Sequence, residues 1–359
     1  MRGLLSKKLL VVVGEGGVGK TSAAAATALR AAEMGKRVAV LTIDPAPRLG
    51  DVLGLSRLDG RPVRVVVSED AASGASLVAM RLDTRRTFDR MVDDFSPSAD
   101  LARSLKQNPV YKAVSGSLGG SEHYMAFQRL YELTSTAGYD LVIVDTPPAA
   151  HADDLLSAPA RVSALLDSRA MALLSDPLRA IGRSGSKLAR ATGQVLLRLV
   201  EGLSGFELRS QVAEFISSFE QLLAGLGDRA NHIESLLKSE DCGFVLVTRP
   251  RPGNTDAALN FYAELVSRGI VPSRVLVNRM TPTATAVDDR GDLFASAPPG
   301  TTAAVAAMEA DIARLRASEE TVVEELERLL DCGVTRVPTV AGDIATLDDL
   351  RRLAERLSL

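Results

Sequence analysis

Residues 9–22 read Leu-Leu-Val-Val-Val-Gly-Glu-Gly-Gly-Val-Gly-Lys-Thr-Ser, and this stretch decides the fold. Its apolar first part is typical of a strand buried on both faces of a parallel sheet. Its glycine-rich second part leads into residues 23–32, which are predicted to be helical. Glycine lets backbone N–H groups approach phosphate oxygens, and a helix N-terminus favours negative charge. The order strand, glycine loop and helix therefore predicts a phosphate-binding loop, the alternative being a tight turn.

Two side chains at the end of this loop predict ATP and Mg²⁺ as ligands. Lys20 has the position of the lysine that reaches the β- and γ-phosphates of a bound nucleotide. Thr21 has the position of the hydroxyl that ligates Mg²⁺. The residues expected to bind the nucleotide here are Gly16, Gly17, Val18, Gly19, Lys20, Thr21 and Ser22.

Two acidic residues follow apolar segments that are predicted to be strands. Asp44 comes after residues 37–43, and Asp145 comes after residues 140–144. Ligands of open α/β sheets bind at the carboxyl ends of the strands, so Asp44 is expected to orient the attacking water or a Mg²⁺-bound water. Asp145 is expected to hold Mg²⁺ through water, and the prolines after it are expected to shape a switch loop. The alternatives are a helix cap for Asp44 and a strand-capping acid for Asp145.

Hydrophobic periodicity gives a coarse map of the remaining chain. Residues 84–136 are predicted to form an insertion of helices and loops, and residues 152–239 are predicted to be helical. Residues 281–301 are predicted to form an exposed loop. Strands are expected at 63–67, 77–82, 243–248, 274–278 and 334–340, and helices at 255–268, 302–330 and 346–358.

Composition limits the partners that the chain can be expected to have. A net charge of −3 and an aromatic content of 4% argue against a nucleic-acid partner. The sequence shows no signal-peptide pattern and no apolar run long enough to span a bilayer, which predicts a cytoplasmic protein with at most a peripheral membrane role. Cys242 and Cys332 lack metal-ligand spacing and are expected to be buried thiols. Residues 178–203 mix basic and apolar side chains, which is typical of a solvated helix face or of a basic amphipathic surface.

Three motifs together carry a resemblance to a known family. They are the glycine loop at residues 14–22, Asp44-Pro45-Ala46 with Leu49, and Asp145-Thr146-Pro147-Pro148 with His151. The loop resembles the deviant Walker A motif. With all three motifs, the chain resembles the arsenical pump-driving ATPase (ArsA) family, which includes the guided-entry ATPase that delivers tail-anchored membrane proteins. Residues 111–133 are similar to bacterial members of that family.

The resemblance implies an α/β P-loop NTPase fold, with a mostly parallel sheet flanked by helices and an inserted α-helical subdomain. The implied divisions are a nucleotide-binding core (1–83), a helical and loop insertion (84–136), a core strand with switch loop (137–151), a helical subdomain (152–239) and the last part of the core (240–359). It implies a dimer that hydrolyses ATP. The residues to which it assigns roles are Asp44 and Lys20 in catalysis, Thr21 and Asp145 at Mg²⁺, and Asn278 and Pro338 at adenine. By itself, Asn278 at a strand end is either an amide that reads the adenine edge or a turn residue.

Departures from the family pattern limit what the resemblance implies. Pro47 and Arg48 stand where the family usually has His and Asn. The cysteine cluster that binds arsenite or antimonite in the pump ATPases has no counterpart, so metalloid activation is not expected. The Cys-x-x-Cys zinc site and the methionine-rich client groove of the guided-entry ATPase are also missing from the sequence. Tail-anchor delivery is therefore not predicted, and a smaller helical client is left open.

Glu15 is the departure with the largest chemical consequence. The family normally has lysine here, and in the family's closed dimer that lysine reaches the phosphates bound by the other subunit. A cation supplied in trans can raise the rate of phosphoryl transfer by ~10³–10⁵. A closed homodimer of this chain would place two acids against two triphosphates. We therefore expect a heterodimer with a related ATPase that keeps the lysine, ahead of a homodimer whose Glu15 turns away into solvent.

The sequence leaves two functions open. The first is an ATP-binding and ATP-hydrolysing dimeric switch that couples its nucleotide state to a protein client or a peripheral membrane partner. The second is a nucleotide-gated subunit with weak or no hydrolysis, which works in a heterodimer with a related ATPase. The motif residues favour the first function, and Glu15 favours the second.

Overall fold

The fold is centred on one sheet. The structure is a computed structural model that describes residues 2–67, 74–96, 98–107, 121–147, 225, 227–282, 301–340 and 342–358. Its strands are β1 Leu9–Gly14, β2 Arg37–Thr42, β3 Val63–Val65, β4 Ser76–Arg81, β5 Leu141–Asp145, β6 Cys242–Thr248, β7 Arg274–Met280 and β8 Gly333–Pro338. Their order across the sheet is β3-β4-β2-β5-β1-β6-β7-β8.

The predicted α/β fold with a mostly parallel sheet is confirmed. β1 lies between β5 and β6 and is parallel to both. The neighbours farther out are also parallel, except that β3 pairs antiparallel with β4 at the edge. Because the central strands share one direction, the residues that follow β1, β2, β5, β6 and β7 reach the same edge of the sheet. That edge is where ligands bind in open α/β folds.

Helices cover the sheet. They are α1 Arg2–Leu5, α2 Lys20–Glu33, α3 Arg48–Val52, α4 Thr84–Phe95, α5 Ala99–Gln107, α6 Ser121–Tyr131, α7 at 227–237, α8 Pro252–Ser267, α9 Thr301–Leu329 and α10 Leu347–Arg356. A π-helical turn, Glu132–Thr136, continues α6. The helix α8 begins earlier than expected, because proline fits the first turn of a helix. The start of α10 is fixed by a capping box between Thr346 and Asp349.

The core lies on both faces of the sheet, as alternation along β1 shows. Leu9, Val11 and Val13 pack into one hydrophobic cluster, together with α6 and α8 residues. Leu10 and Val12 pack into a second cluster, together with the alanine-rich α2 and with α10. All five of these side chains are buried, so β1 is held from both sides. This rigid strand carries the glycine loop at its carboxyl end.

Several expectations fall partly or wholly outside the described residues. These include Pro148, His151, residues 178–203 and most of residues 152–239. Helices α4 to α6 occupy much of the region predicted as an insertion, and the domain divisions themselves stay a prediction. Within the described residues, no helix combines the length and apolar character that crossing a bilayer requires.

Candidate functional site

The loop between β1 and α2 has the backbone shape that its glycines allow. Gly14, Gly17 and Gly19 all have positive φ angles, of 144°, 74° and 102°. A Cβ atom on Gly19 would collide with the side-chain amide of Asn278. Any larger residue at this position would therefore be strained and would also displace Asn278. Lys20 is the first residue of α2, so the N–H groups of the loop lie next to the N–H groups at the N-terminus of that helix.

Lys20 lies inside the loop that it follows. Its side chain is buried, and its Nζ donates a hydrogen bond of 2.7 Å to the backbone carbonyl of Glu15. Burial lowers the pKa of Lys20, and the carboxylates of Asp145 and Asp44 partly offset that effect. A buried cation held by one carbonyl is available to an anion that enters the loop.

Asp145 joins the ends of three elements. Its Oδ2 accepts hydrogen bonds from the hydroxyl of Thr21 at 2.8 Å and from the hydroxyl of Thr42 at 3.0 Å. Its Oδ1 is buried and has no hydrogen-bond partner in the described structure. Burial raises the pKa of Asp145 to about 6, although the two hydroxyl donors oppose the shift.

The donor set around Asp145 fits Mg²⁺. The ion prefers oxygen ligands, keeps several waters and is commonly bound through one or two carboxylates plus phosphate oxygens. Thr21 and Asp145 supply a hydroxyl and a carboxylate at one point, and the unpartnered Oδ1 is a free acceptor. A cation there would also stabilise the charged form of this buried acid.

Asp44 lies beyond the end of β2, on the same sheet edge. Its Oδ1 accepts the backbone N–H of Ala46 at 2.9 Å, and its Oδ2 is 3.5 Å from an Arg48 guanidinium nitrogen. The Asp44 side chain is 16% exposed, whereas that of Arg48 is 60% exposed. The carboxylate is thus oriented by a local turn and open to water on one side. Asp44 is also close enough to Lys20 to raise the pKa of that amine.

The Glu15 side chain is turned toward α8. Its carboxylate accepts a hydrogen bond from the side-chain amide of Asn254, in the first turn of α8. The two residues line one narrow crevice between the loop and β6, together with Val247 and Phe261. Glu15 is half-buried here, rather than extended into solvent.

Arg249 is a site residue that sequence reasoning missed. It directly follows β6, and its guanidinium donates a 2.7 Å hydrogen bond to the backbone carbonyl of Gly17. Arg251 and Arg279 are its charged neighbours, and both lower its pKa in addition to the larger effect of burial. Only the neighbouring positions of β1 and β6 in the sheet could have revealed this contact.

Asn278 lies beside the loop, where its side-chain amide is hydrogen-bonded to the backbone. Its Nδ2 donates to the carbonyl of Val18 at 2.7 Å, and its Oδ1 accepts the backbone N–H of Arg279 at 2.9 Å. Pro338 ends β8 opposite Met280, at the end of β7. Lys20, Thr21, Asp44 and Asp145 therefore form one group, whereas Asn278 supports the other side of the loop.

The two cysteines differ in how far they are buried. Within the described residues, no group of three or more His, Cys, Asp or Glu side chains could hold a metal ion. Cys242 is buried, as expected, and burial raises the pKa of its thiol to about 12. Cys332 is only partly buried, which corrects the expectation that both thiols are enclosed.

Known proteins resemble this chain over much of its length. A sequence model described as anion-transporting ATPase matches residues 7–292. An uncharacterized protein of Streptomyces coelicolor is 29% identical over 286 residues, which cover 78% of this chain and 64% of the relative. An arsenical pump-driving ATPase of Escherichia coli is 30% identical over 230 residues, which cover 56% of this chain and 38% of the relative.

A further relative, a Mycobacterium tuberculosis protein, is 31% identical over 163 residues, which cover 43% of this chain and 37% of the relative. The matched part thus spans less than two thirds of the length of each of these three relatives. The family model, in contrast, matches well over half of this chain, including the glycine loop, Asp44 and Asp145. The chain belongs to the anion-transporting (ArsA) ATPase family.

Proposed function

We propose that this protein binds ATP with Mg²⁺ and hydrolyses it, as a dimeric switch. The observation that carries the proposal is the cluster in which Asp145 accepts hydrogen bonds from Thr21 and Thr42 while its Oδ1 stays without a partner. A strand-capping acid would have both oxygens satisfied or solvated. Here a buried acceptor lies beside the phosphate-binding loop, where nucleotide hydrolysis needs a Mg²⁺ site.

Each group has a definite task in the proposed reaction. Lys20 exchanges the Glu15 carbonyl for phosphate oxygens, and the loop N–H groups bind the same phosphates. Thr21 and Asp145 would hold Mg²⁺, which supplies charge neutralisation on the phosphate oxygens. Asp44 holds the attacking water and orients it, because its carboxylate is fixed by Ala46 yet open to solvent.

The dimer is supported by family membership. On the sequence alone, Glu15 favours a heterodimer with a related ATPase that keeps the family's lysine. Its hydrogen bond to Asn254 supports the homodimer instead, because the acid is held in the crevice toward α8. We propose the homodimer, with a protein client or a peripheral membrane partner as the responder to its nucleotide state.

The proposal is tested with the full chain and two variants. Lys20→Ala is expected to weaken binding of a non-hydrolysable ATP analogue by about 1.5–3 kcal/mol or more, because a charged hydrogen-bond donor is lost. Asp44→Asn is expected to keep ATP affinity within about tenfold and to lower turnover by ~10²-fold or more. Calorimetry and phosphate release measure the two effects.

Two results would refute these assignments. Unchanged affinity in Lys20→Ala would remove the phosphate-binding role of the loop. Equal losses of affinity and turnover in Asp44→Asn would make Asp44 a binding or folding residue. Absence of turnover in the wild type alone, with intact ATP binding, would favour the second function, a weakly hydrolytic subunit of a heterodimer.

A further inference from the structure

Three arginines form a positive cluster beside the phosphate-binding loop. Arg249 follows β6, Arg251 is the N-cap of α8, and Arg279 lies in β7 with a φ of 61°. Among the residues that the structure describes, the ion pairs with carboxylates involve other lysines and arginines, and none involves these three. The repulsion among them acts on Arg249 in particular, whose pKa both neighbours lower. Without a paired carboxylate among the described residues, a cluster of this kind favours binding of an anion.

Arg249 has an N–H donor that makes no hydrogen bond within the described structure. One guanidinium nitrogen donates to the Gly17 carbonyl at 2.7 Å. Its Nε is shielded from solvent and has no hydrogen-bond partner in the described structure. A guanidinium has five N–H donors, and leaving a buried one unpaired costs free energy. A phosphate group, whose oxygens accept bidentate bonds from arginine, would satisfy these donors.

The position of Arg249 argues against contact between its guanidinium and the phosphates bound by its own loop. The N–H groups of such a loop converge on the phosphates, so a peptide unit that turns its N–H inward points its carbonyl outward; the Glu15 carbonyl, which accepts from Lys20 inside the loop, is the exception. Arg249 contacts the Gly17 carbonyl, and Asn278 contacts the Val18 carbonyl next to it. The guanidinium therefore lies on the outer surface of the loop. Glu15 is not among the charged groups that act on Arg249, and its carboxylate instead accepts a hydrogen bond from Asn254 in the crevice toward α8.

We propose that Arg249 is a phosphate-binding residue supplied across the dimer, where it contacts the ATP bound by a second copy of this chain. The inference rests on the proposed ATP-dependent dimer. In a two-fold dimer each copy gives its Arg249 to the other copy's nucleotide, so both sites are completed at once. Without ATP the facing arginine clusters repel each other, and the polyphosphate charge removes that repulsion.

The first test compares three variants with the wild type. Arg249→Ala is expected to lower turnover by at least ~10²-fold, the cost typical of one lost charge-stabilising donor, and to abolish the ATP-dependent dimer. Arg249→Lys, which keeps the charge, is expected to recover part of both. The matched control is Arg64→Ala, since Arg64 is an exposed arginine on the edge strand β3, and it should behave as wild type.

The second test separates action in trans from action in cis. Mixed dimers of Lys20→Ala and Arg249→Ala subunits are isolated through two affinity tags in the presence of ATP and Mg²⁺. In such a dimer, one site combines an intact Lys20 with an Arg249 from the other subunit. We expect about half of the wild-type turnover, because one of the two equivalent sites is complete, while each variant alone is nearly inactive.

The outcomes distinguish this inference from the proposed function. If the wild type binds and hydrolyses ATP but Arg249→Ala matches Arg64→Ala, only the inference fails. If the isolated mixed dimer is as inactive as each variant alone, Arg249 does not act across the dimer. If the wild type neither binds nor hydrolyses ATP, the proposed function itself fails.

Discussion

Asp145→Asn is expected to stabilise the protein while disabling the proposed Mg²⁺ site. Burial raises the pKa of Asp145 from 3.8 to about 6. The charged form of the acid is therefore disfavoured in the folded protein by about 3 kcal/mol. Because the folded pKa lies above the unfolded one, the folded protein binds more protons between these two values, and the free energy of unfolding falls as pH rises through them. The whole penalty is present near neutral pH.

The asparagine variant removes this penalty, because it is neutral and its oxygen can still accept from Thr21 and Thr42. Without Mg²⁺ and nucleotide, its free energy of unfolding near neutral pH should exceed that of the wild type, by up to about 3 kcal/mol. The gain should shrink as the pH is lowered toward about 4. Urea unfolding at a series of pH values measures it.

A matched control lies at the start of the same strand. Asp140 precedes β5, and hydrogen bonds from Arg37 hold the pKa of its carboxyl at about 2. Its charged form is favoured in the folded protein, so Asp140→Asn should lower stability near neutral pH, and the loss should fade in acid. If Asp145→Asn is also less stable than the wild type near neutral pH, desolvation does not dominate at Asp145, and the carboxylate is a structural group. The functional readout is the gain in ATP affinity on adding Mg²⁺, which the variant should lack.

Two further substitutions test the loop and its surroundings. Asn278→Ala removes the hydrogen bond to Val18 and should weaken ATP binding by about 0.5–1.5 kcal/mol. Calorimetry should show a loss of affinity for ATP but not for GTP if Asn278 contacts the adenine. It should show equal losses for both nucleotides if Asn278 only supports the loop. Glu15→Lys should leave the turnover of the protein alone nearly unchanged, because Arg249 already brings a cation to this surface. A rise of about tenfold or more in phosphate release would instead support the heterodimer.

The parts of the fold that follow from local sequence could be predicted. Three patterns each lie within about ten residues of sequence: the apolar run of β1, the glycines after it and the acids at the strand ends. The structure places Lys20, Thr21 and Asp145 together, as these patterns imply. The antiparallel pairing of β3 could not be predicted, since three residues are too few to show a period and periodicity does not give the direction of pairing. The helices α1 and α3 were missed for the same reason, as four and five residues are too few for a helical pattern.

The contacts that distinguish this site are all distant in sequence. Glu15 and Asn254 are 239 residues apart, and Arg249 and Gly17 are 232 residues apart. They meet because Gly14 and Val247 are register partners where β1 and β6 end. Periodicity gives the existence of both strands but not that they are neighbours. The charge reversal at Glu15 could therefore be recognised from the sequence, whereas the contacts of Glu15 and Arg249 could not be predicted from it.

The two unusual features of the loop are connected through β6. An acid at position 15 would oppose the phosphates if it pointed toward them, yet its bond to Asn254 draws it to the start of α8. The same turn between β6 and α8 carries Arg249 to the outer surface of the loop. One segment thus removes a negative charge from this surface and adds a positive one. Because both contacts depend on a single turn, movement of α8 relative to β1 would alter both together.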